Sequence, residues 1–307
     1  MPRTEQVDRV GRAPAGVRPT AFVGIDFEDW DALTAERFGG EVVGRSSSLE
    51  RQTAVLLDLL EALGATVTFF VLGATGQHHP HLLAEILARG HELASHGFDH
   101  RPLLAQTPAS LARDLARSRD LLHDLCGVAA LGYRAPCFSL GAGQRWALPV
   151  IRDAGFTYDS SLYDTPLDRR RLRPGALAPY PHELGDGDRL WEVPPTVAAW
   201  GPLRVPVAGS TYWRVLPPGV VHALVRREAR RRGTTAHYFH PYDFDTEPLA
   251  VARPAGASAR RRSSAWWQER LHNVGPDRAA QGLTRLAAVA DLRPYRDAVP
   301  GTGAPPG

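Results

Sequence analysis

The sequence predicts an α/β fold, a parallel (β/α) barrel in one domain. Three observations predict it. Short apolar segments alternate with amphipathic helical segments about seven times, and no glycine-rich phosphate loop accompanies them. The length of 307 residues also fits one barrel of ~250 residues with extensions. We expect the barrel domain to span residues 19–298, between a disordered leader (residues 1–18) and a flexible tail (residues 299–307).

The predicted strands are short and apolar, which is typical of strands buried in a parallel sheet. Ala21–Phe27 is the first of them, and acidic residues stand at its end. The other candidate strands are Thr66–Leu72, His91–Ser95, Leu131–Arg134, Phe156–Leu162, Leu190–Val193 and Thr235–His240.

The segments between these strands have apolar residues at helical spacing. The first, Leu49–Leu63, follows three serines that can cap a helix, and Gly64 marks its end. The other predicted helices are Pro80–Ala88, Pro108–Leu125, Ala147–Ala154, Val220–Arg232 and a last helical region over Ser264–Val289. Residues 163–189 are rich in proline, glycine and arginine, and this composition predicts a long loop.

The composition is that of a soluble protein with a large core, since 43% of residues are hydrophobic and 22% are charged. The formal net charge of +3 is too small to indicate a nucleic-acid partner. All 36 basic residues are arginine, and we interpret the arginine runs as solvated faces. The two cysteines, Cys126 and Cys137, predict neither a disulfide framework nor a thiolate zinc site.

The N-terminal region is polar and lacks the apolar segment of a signal peptide. No apolar run approaches the ~20 residues that a membrane-spanning helix needs. We therefore expect no transmembrane segment and a cytoplasmic location. The sequence leaves the oligomeric state open.

Two histidines four residues apart, His96 and His100, follow one of the predicted strands. This spacing lets two imidazoles converge on one transition metal. Active-site residues of parallel α/β barrels collect at the carboxyl ends of the strands. By that rule, the end of the barrel that holds His96 and His100 should also contain Asp26, Glu28, Arg134, Asp159 and His240. Acids, imidazoles and a guanidinium in one place indicate catalysis rather than core packing.

Six segments occur in order over about residues 20–245: Ile25–Trp30, Thr68–Gly73, Gly90–His100, Gly132–Pro136, Phe156–Ser161 and Tyr238–Pro241. Together they resemble the polysaccharide deacetylases, the NodB-homology family of carbohydrate esterases (family 4). The acidic start, the late His-Pro pair and the Trp-Trp tail resemble the subgroup of exopolysaccharide gene clusters. The resemblance implies a distorted barrel of about seven strands and a divalent metal, usually Zn²⁺.

The resemblance also implies roles for the residues at the strand ends. His96 and His100 match the two metal histidines, and Glu28 falls where a carboxylate completes the metal triad. The family more often has aspartate as that carboxylate, so Asp29 is a rival ligand. The three catalytic matches are Asp26 as general base, Arg134 as the partner of that base, and His240 as general acid.

Four further residues are matched less specifically to the oxyanion or the substrate. Cys137 follows Arg-Ala-Pro, where a backbone N–H of the family helps to hold the oxyanion, and Asp159 is interpreted as positioning Arg134. Trp191 and Trp213 could stack on a sugar ring or belong to the core. A separate group of histidines, His78, His79 and His81, resembles a metal cluster but is interpreted as an exposed loop.

The predicted activity is a metal-dependent N-deacetylase, which removes an acyl group, in first place acetyl, from an amino sugar or glycan precursor. One alternative keeps the fold and the metal but takes a small non-sugar amide or a cyclic imide. A second alternative is a catalytically silent sugar-binding barrel, which the complete set of acid, metal ligands and base argues against.

Overall fold

The computed structural model describes residues 17–38, 47–163, 178–185, 187–200, 203–251 and 256–302. The strands are β1 (Thr20–Phe27), β2 (Thr68–Val71), β3 (Glu92–Ser95), β4 (Gly132–Tyr133), β5 (Tyr158–Asp159), β6 (Tyr180–Gly185), β7 (Asp188–Glu192), β8 (Val197–Trp200), β9 (Leu203–Pro206), β10 (Thr234–Phe239) and β11 (Asp291–Arg293). The helices are α1 (Trp30–Phe38), α2 (Ser47–Ala62), α3 (Gly73–His78), α4 (Pro80–Ala88), α5 (Pro108–Cys126), α6 (Ala147–Asp153), α7 (Ser210–Val215), α8 (Pro218–Arg232), α9 (Ala259–His272) and α10 (Arg278–Ala287). Within these ranges no helix has both the length and the apolar character that crossing a bilayer requires.

Parallel strands form the centre of the fold, in the order β10–β1–β2–β3–β4–β5–β7. β6 pairs antiparallel with β7 at one edge, and β11 runs parallel to the first residues of β1. β8 and β9 form a separate antiparallel hairpin. These seven parallel strands confirm the predicted fold class, a distorted parallel barrel of about seven strands in a single domain.

The two faces of β1 pack against different layers, because successive side chains of a strand point to opposite sides. The odd-numbered residues of β1 belong to the large apolar core that the helices cover: Ala21, Val23, Ile25 and Phe27. Phe22, on the other face, packs in an inner cluster with Phe70 and Tyr295. This alternation places Asp26 on the inner face, near the carboxyl end of β1.

The helix α5 shows how local sequence sets an element's limits. Thr107 Oγ1 accepts a hydrogen bond from the backbone N–H of Ser110 at 3.2 Å, and Ser110 Oγ accepts one from the Thr107 N–H at 2.9 Å. This capping box begins the helix, and Pro108 fits its first position. Gly127, in the left-handed region with φ of 67°, ends it. The structure therefore confirms the predicted helix, with its end one residue later.

The prediction of a long loop over residues 163–189 is wrong for the part of this segment that the structure describes. β6 and β7 form an antiparallel hairpin there, and Gly185 and Gly187 on either side of its turn have φ of 103° and 85°. Such left-handed backbone favours glycine, so the glycines that suggested a loop are the turn of a hairpin. Residues 164–177 and 186 of the predicted loop lie outside the described residues.

The last predicted helical region is two helices rather than one. α9 and α10 are separated at Gly275, whose φ is 53°, and at the following proline, which cannot donate a helical hydrogen bond. The sequence also gave no prediction of α1, β8, β9 or β11. The predicted domain limits stay predictions, since most of the leader and of the tail lies outside the described residues.

The inner face of β1 predicts a sensitive position at Gly24. A Cβ atom there would lie 2.8 Å from Phe70 Cε2 and 3.0 Å from Arg134 Nη2. We expect Gly24→Ala to lower the free energy of unfolding by about 1–3 kcal/mol, because two packed side chains must shift. Chemical denaturation measures this loss. Gly219→Ala is the matched control, since a Cβ there meets nothing within 4 Å, and equal stability losses in the two variants would contradict the expectation.

Candidate active site

The predicted site residues meet at the carboxyl ends of neighbouring parallel strands. Asp26 and Glu28 stand at the end of β1, and His96 and His100 follow β3. Arg134 follows β4 and His240 follows β10. Because β10, β1, β2, β3 and β4 are consecutive in the sheet, their ends lie side by side, and residues more than 200 positions apart in the chain become neighbours.

Glu28, His96 and His100 bring their donor atoms together, as the sequence predicts. Glu28 Oε1 lies 2.6 Å from His96 Nε2 and 3.0 Å from His100 Nε2. Glu28 and His96 are buried, whereas His100 is partly exposed and has a left-handed φ of 50°. The tight turn after β3 thus directs two imidazoles at one carboxylate, and leaves one side of the group open.

The donor set of this triad fits a divalent metal such as zinc. His96 Nδ1 pairs with the backbone oxygen of Arg134 at 2.8 Å, which directs Nε2 at the other two ligands. Burial by itself would raise the pKa of Glu28, but the charges and hydrogen bonds of His100 and His96 outweigh it and hold this pKa well below its usual range. The group therefore favours the ionised form of Glu28, which is the form that a carboxylate ligand needs.

The rival carboxylate, Asp29, faces a different direction. Its Oδ1 accepts hydrogen bonds from the backbone N–H groups of Asp31 and Ala32, at 2.9 and 3.3 Å, at the start of α1. Its Oδ2 lies 4.0 Å from His79 Nε2. The structure therefore groups Glu28, and not Asp29, with His96 and His100.

Arg134 is fully buried and holds Asp26 on the inner face of the sheet. Its Nη1 donates to Asp26 Oδ1, its Nη2 to Ser160 Oγ at 3.0 Å and its Nε to the Ser160 backbone oxygen at 3.3 Å. The guanidinium carbon lies 3.9 Å from the centre of the Phe70 ring. Hydrogen bonds and stacking thus fix the guanidinium, and the guanidinium fixes the carboxylate.

His240 is held by an acid that the sequence analysis did not identify. Asp243 Oδ2 accepts a hydrogen bond from the His240 backbone N–H at 2.7 Å and pairs with Nδ1 of its ring at 3.1 Å. Arg214 Nη2 donates to the other oxygen of Asp243 at 3.1 Å. The ring stacks on Tyr242, with centroids 4.6 Å apart, and its Nε2 lies 4.0 Å from Glu28 Oε2. In the sequence, Asp243 could have been identified as an acid three residues after a histidine at the end of a predicted strand.

This environment keeps the His240 ring protonated. Burial disfavours the imidazolium, but the hydrogen bond and charge of Asp243, together with the charges of Glu28 and Asp26, raise its pKa from 6.5 to about 9. A cationic imidazole above neutral pH is a group that can donate a proton.

The interpretation that Asp159 positions Arg134 is wrong. Asp159 Oδ1 accepts a hydrogen bond from Ser161 Oγ at 2.5 Å, and that hydroxyl accepts one from the Ala135 backbone N–H at 2.7 Å. Asp159 therefore supports the chain just after Arg134 rather than its guanidinium. Burial and the charge of Glu192 raise the pKa of Asp159 well above its usual value, and burial raises that of Glu192 to about 8.

The two predicted aromatic contacts differ from the prediction. Trp213 is buried in the core, where its indole N–H donates to the Val207 oxygen at 2.7 Å and its ring packs against Phe239. Its proposed contact with a sugar is therefore wrong. Trp191 is partly buried against the inner apolar cluster, so packing accounts for it. Cys137 is exposed, with a left-handed φ of 58°, and its oxyanion role stays a prediction.

Comparison with known proteins agrees with this geometry. Residues 43–158, which include His96, His100 and Arg134, match the family model described as polysaccharide deacetylase. The likeness to this family is therefore carried by residues 43–158 of the chain. Residues 160–287, which include His240, match a domain of unknown function (DUF3473). Asp26 and Glu28 lie before both matched regions.

Curated relatives and a solved structure are also similar to this chain. Over 135 residues, 43% of the chain, it is 27% identical to the peptidoglycan-N-acetylglucosamine deacetylase PgdA of Listeria monocytogenes, of which it covers 28%. A chitooligosaccharide deacetylase of Sinorhizobium fredii is 32% identical over 27% of the chain and 40% of that protein. A Mycobacterium smegmatis protein assigned to the polysaccharide deacetylases has the same fold, with a TM-score of 0.56 at 23% identity over 92% of this chain and 89% of that one. The chain thus spans less than half the length of these two curated relatives.

The grouping of Glu28, His96 and His100 predicts which substitutions remove a bound metal ion. We expect His96→Ala and Glu28→Gln each to lower the bound zinc by about one ion per chain, because each removes a donor from a three-residue set. Asp29→Asn, the matched control, should keep the wild-type content. Elemental analysis after zinc loading and desalting measures all three. Unchanged zinc in His96→Ala would contradict the assignment. A loss of zinc in Asp29→Asn but not in Glu28→Gln would show that Asp29, and not Glu28, is the carboxylate ligand.

The contact between His240 and Asp243 predicts a pH dependence. The pKa of His240 is raised on folding, so its contribution to stability is fully present below about pH 6.5 and is lost as the pH rises through about 9. If the protonated ring is required, activity should fall on the alkaline side near the same pH. We expect Asp243→Asn to move this alkaline limb to lower pH, as measured by the pH profile of kcat/KM.

Asp245→Asn is the control for this prediction, because Asp245 is also buried but pairs with Arg51 rather than with His240. Identical profiles for Asp243→Asn and the wild type would show that Asp243 does not set the protonation of His240.

Proposed function

We propose that this chain is a metal-dependent N-deacetylase that hydrolyses the acetamide of an N-acetylated amino sugar in a glycan or glycan precursor. The observation that carries the proposal is that three groups of side chains lie together at the carboxyl ends of the parallel strands. These are a carboxylate held by a buried arginine (Asp26 and Arg134), a metal-ligating triad (Glu28, His96 and His100), and a cationic histidine held by an acid (His240 and Asp243).

The residues divide the reaction between them. Asp26 accepts a proton from the attacking water while the oxygen of that water forms a bond to the amide carbon. The carbon–nitrogen bond then breaks, and His240 gives its proton to the departing nitrogen, so that acetate and a free amine are released. General acid and base steps of this kind contribute about 10²–10⁴-fold each.

The metal triad supplies what the acid and the base cannot. A divalent ion held by Glu28, His96 and His100 polarises the acetamide carbonyl and lowers the pKa of water. Two imidazoles and one carboxylate are a donor set that zinc prefers, and we propose Zn²⁺ as the ion. His96 is oriented for this role by the Arg134 backbone, so one residue positions both the base and a ligand.

The choice of an amino sugar rests on the relatives. PgdA is named for peptidoglycan N-acetylglucosamine and the Sinorhizobium enzyme for chitooligosaccharides. A small amide or cyclic imide would need the same catalytic groups, so geometry alone does not favour it. A catalytically silent sugar-binding barrel would not need a buried Asp–Arg pair beside a group of three metal-ligating side chains, so this arrangement argues against that alternative. The expected cytoplasmic location and the oligomeric state stay open.

A direct assay tests the proposal. The zinc-loaded protein is incubated with N-acetylated chitooligosaccharides, peptidoglycan fragments, a nucleotide-linked N-acetylamino sugar and a cyclic imide, and acetate and ring-opened product are measured. We expect acetate from at least one sugar. Asp26→Asn should keep the zinc and lose about 10²-fold or more of the turnover, because an amide cannot accept the proton.

Two results would overturn parts of the proposal. Turnover of the imide without acetate release from any sugar would replace the substrate class. If Asp26→Asn loses zinc together with activity, Asp26 belongs to the coordination sphere and is not the base.

A further inference from the structure

A second group of metal-ligating side chains lies outside the site described above. It consists of Glu50 in the first turn of α2, His79 between α3 and α4, and His81 in the first turn of α4. One donor atom from each residue, a ring nitrogen or a carboxylate oxygen, lies within 4.8 Å of the other two. His81 Nε2 and Glu50 Oε1 are 3.4 Å apart. We call these three residues the helix-junction cluster.

The break between α3 and α4 is what brings the two histidines together. Residues two positions apart on a continuous helix do not face each other. Here His79 has non-helical backbone angles, φ of −127° and ψ of 54°, and Pro80 follows it at the start of α4. A residue before proline is disfavoured in the helical conformation, so the sequence itself imposes this break. As a result the centroids of the His79 and His81 rings are 6.1 Å apart.

Burial and charge give the cluster the form of a binding site rather than of a surface ion pair. The His79 side chain is 2% exposed, whereas those of His81 and Glu50 are about half exposed, at 50% and 47%. The group therefore has a buried side and a solvent side through which an ion and its water ligands can enter. Asp29 Oδ2, 4.0 Å from His79 Nε2, adds negative charge on the buried side. An exposed ion pair between His81 and Glu50 alone would add little to the stability of the fold, and it would not require a buried imidazole beside it.

We propose that Glu50, His79 and His81 form a second divalent-metal site, which takes Zn²⁺. Two imidazoles and one carboxylate suit zinc, and water can complete the coordination. An ion held there would join the first turn of α2 to the α3–α4 junction and so stabilise the folded chain by binding the native state alone. The three ligands are separate from Glu28, His96 and His100, so the inference does not depend on the proposed deacetylase activity.

The experiment isolates this site by removing the other. The full-length chain carrying His96→Ala and His100→Ala is stripped with a chelator, loaded with zinc, desalted and analysed for metal. We expect about one zinc per chain to remain, and to raise the melting temperature. Adding Glu50→Gln or His81→Ala should remove that ion and abolish the zinc-dependent shift. His78→Ala is the matched control, because His78 is a neighbouring exposed histidine that pairs with the Ala74 oxygen instead.

The wild-type background gives an independent measurement if the double variant does not fold. There we expect about two ions per chain, and His81→Ala should lower the number to about one without changing acetate release. The proposal is overturned if Glu50→Gln and His81→Ala both leave the zinc content of the wild type unchanged, or if the folded double variant of His96 and His100 binds no zinc. It is also overturned if His78→Ala removes as much zinc as His81→Ala.

Discussion

One buried charge sets the geometry of the whole site. Arg134 is fully buried, its guanidinium binds Asp26 and Ser160, and its backbone oxygen pairs with His96. Taking a guanidinium out of water costs several kcal/mol, and the cost is offset only when its partners are in place. Small displacements of β1, β4 or β5 would break these contacts. The cost of burial therefore keeps Asp26 and His96 in fixed positions, and the proposed catalysis by pre-organised groups requires such fixed positions.

The sequence was sufficient for the parts of the site that depend on strand ends. Asp26 follows an apolar strand, and the alternation along β1 decides that its side chain lies on the inner face. The spacing of His96 and His100 places both rings after one strand, and the parallel order of the sheet brings them to Glu28. These relations follow from local pattern and from a rule common to parallel barrels, so they could be predicted without coordinates.

Other parts depend on contacts between distant segments, which no local pattern encodes. Arg214 reaches Asp243 from a helix nearly thirty residues earlier. No sequence pattern indicates that it lies beside the pair formed by Asp243 and His240. Trp213 looks like a sugar-stacking residue in the sequence, but the close approach of α10 makes it a core residue: a Cβ at Gly282 would lie 2.0 Å from its ring. The α3–α4 junction was interpreted as an exposed loop for the same reason. Only the packing of α2 shows that Glu50 meets His79 and His81 there.

The turn after β1 explains how one strand can supply both the proposed base, Asp26, and a proposed metal ligand, Glu28. The Glu28 N–H donates to the Asp26 oxygen at 3.0 Å, a bond between residues two apart that closes a tight turn. The strand therefore ends at Phe27, one residue after Asp26, and the turn brings Glu28 to His96 and His100. A glutamate is one methylene longer than the aspartate that is more usual in the family, and this length lets its carboxylate reach both imidazoles from the turn. The turn and the longer side chain together allow Asp26 to stay paired with Arg134 while the Glu28 carboxylate reaches the two histidines.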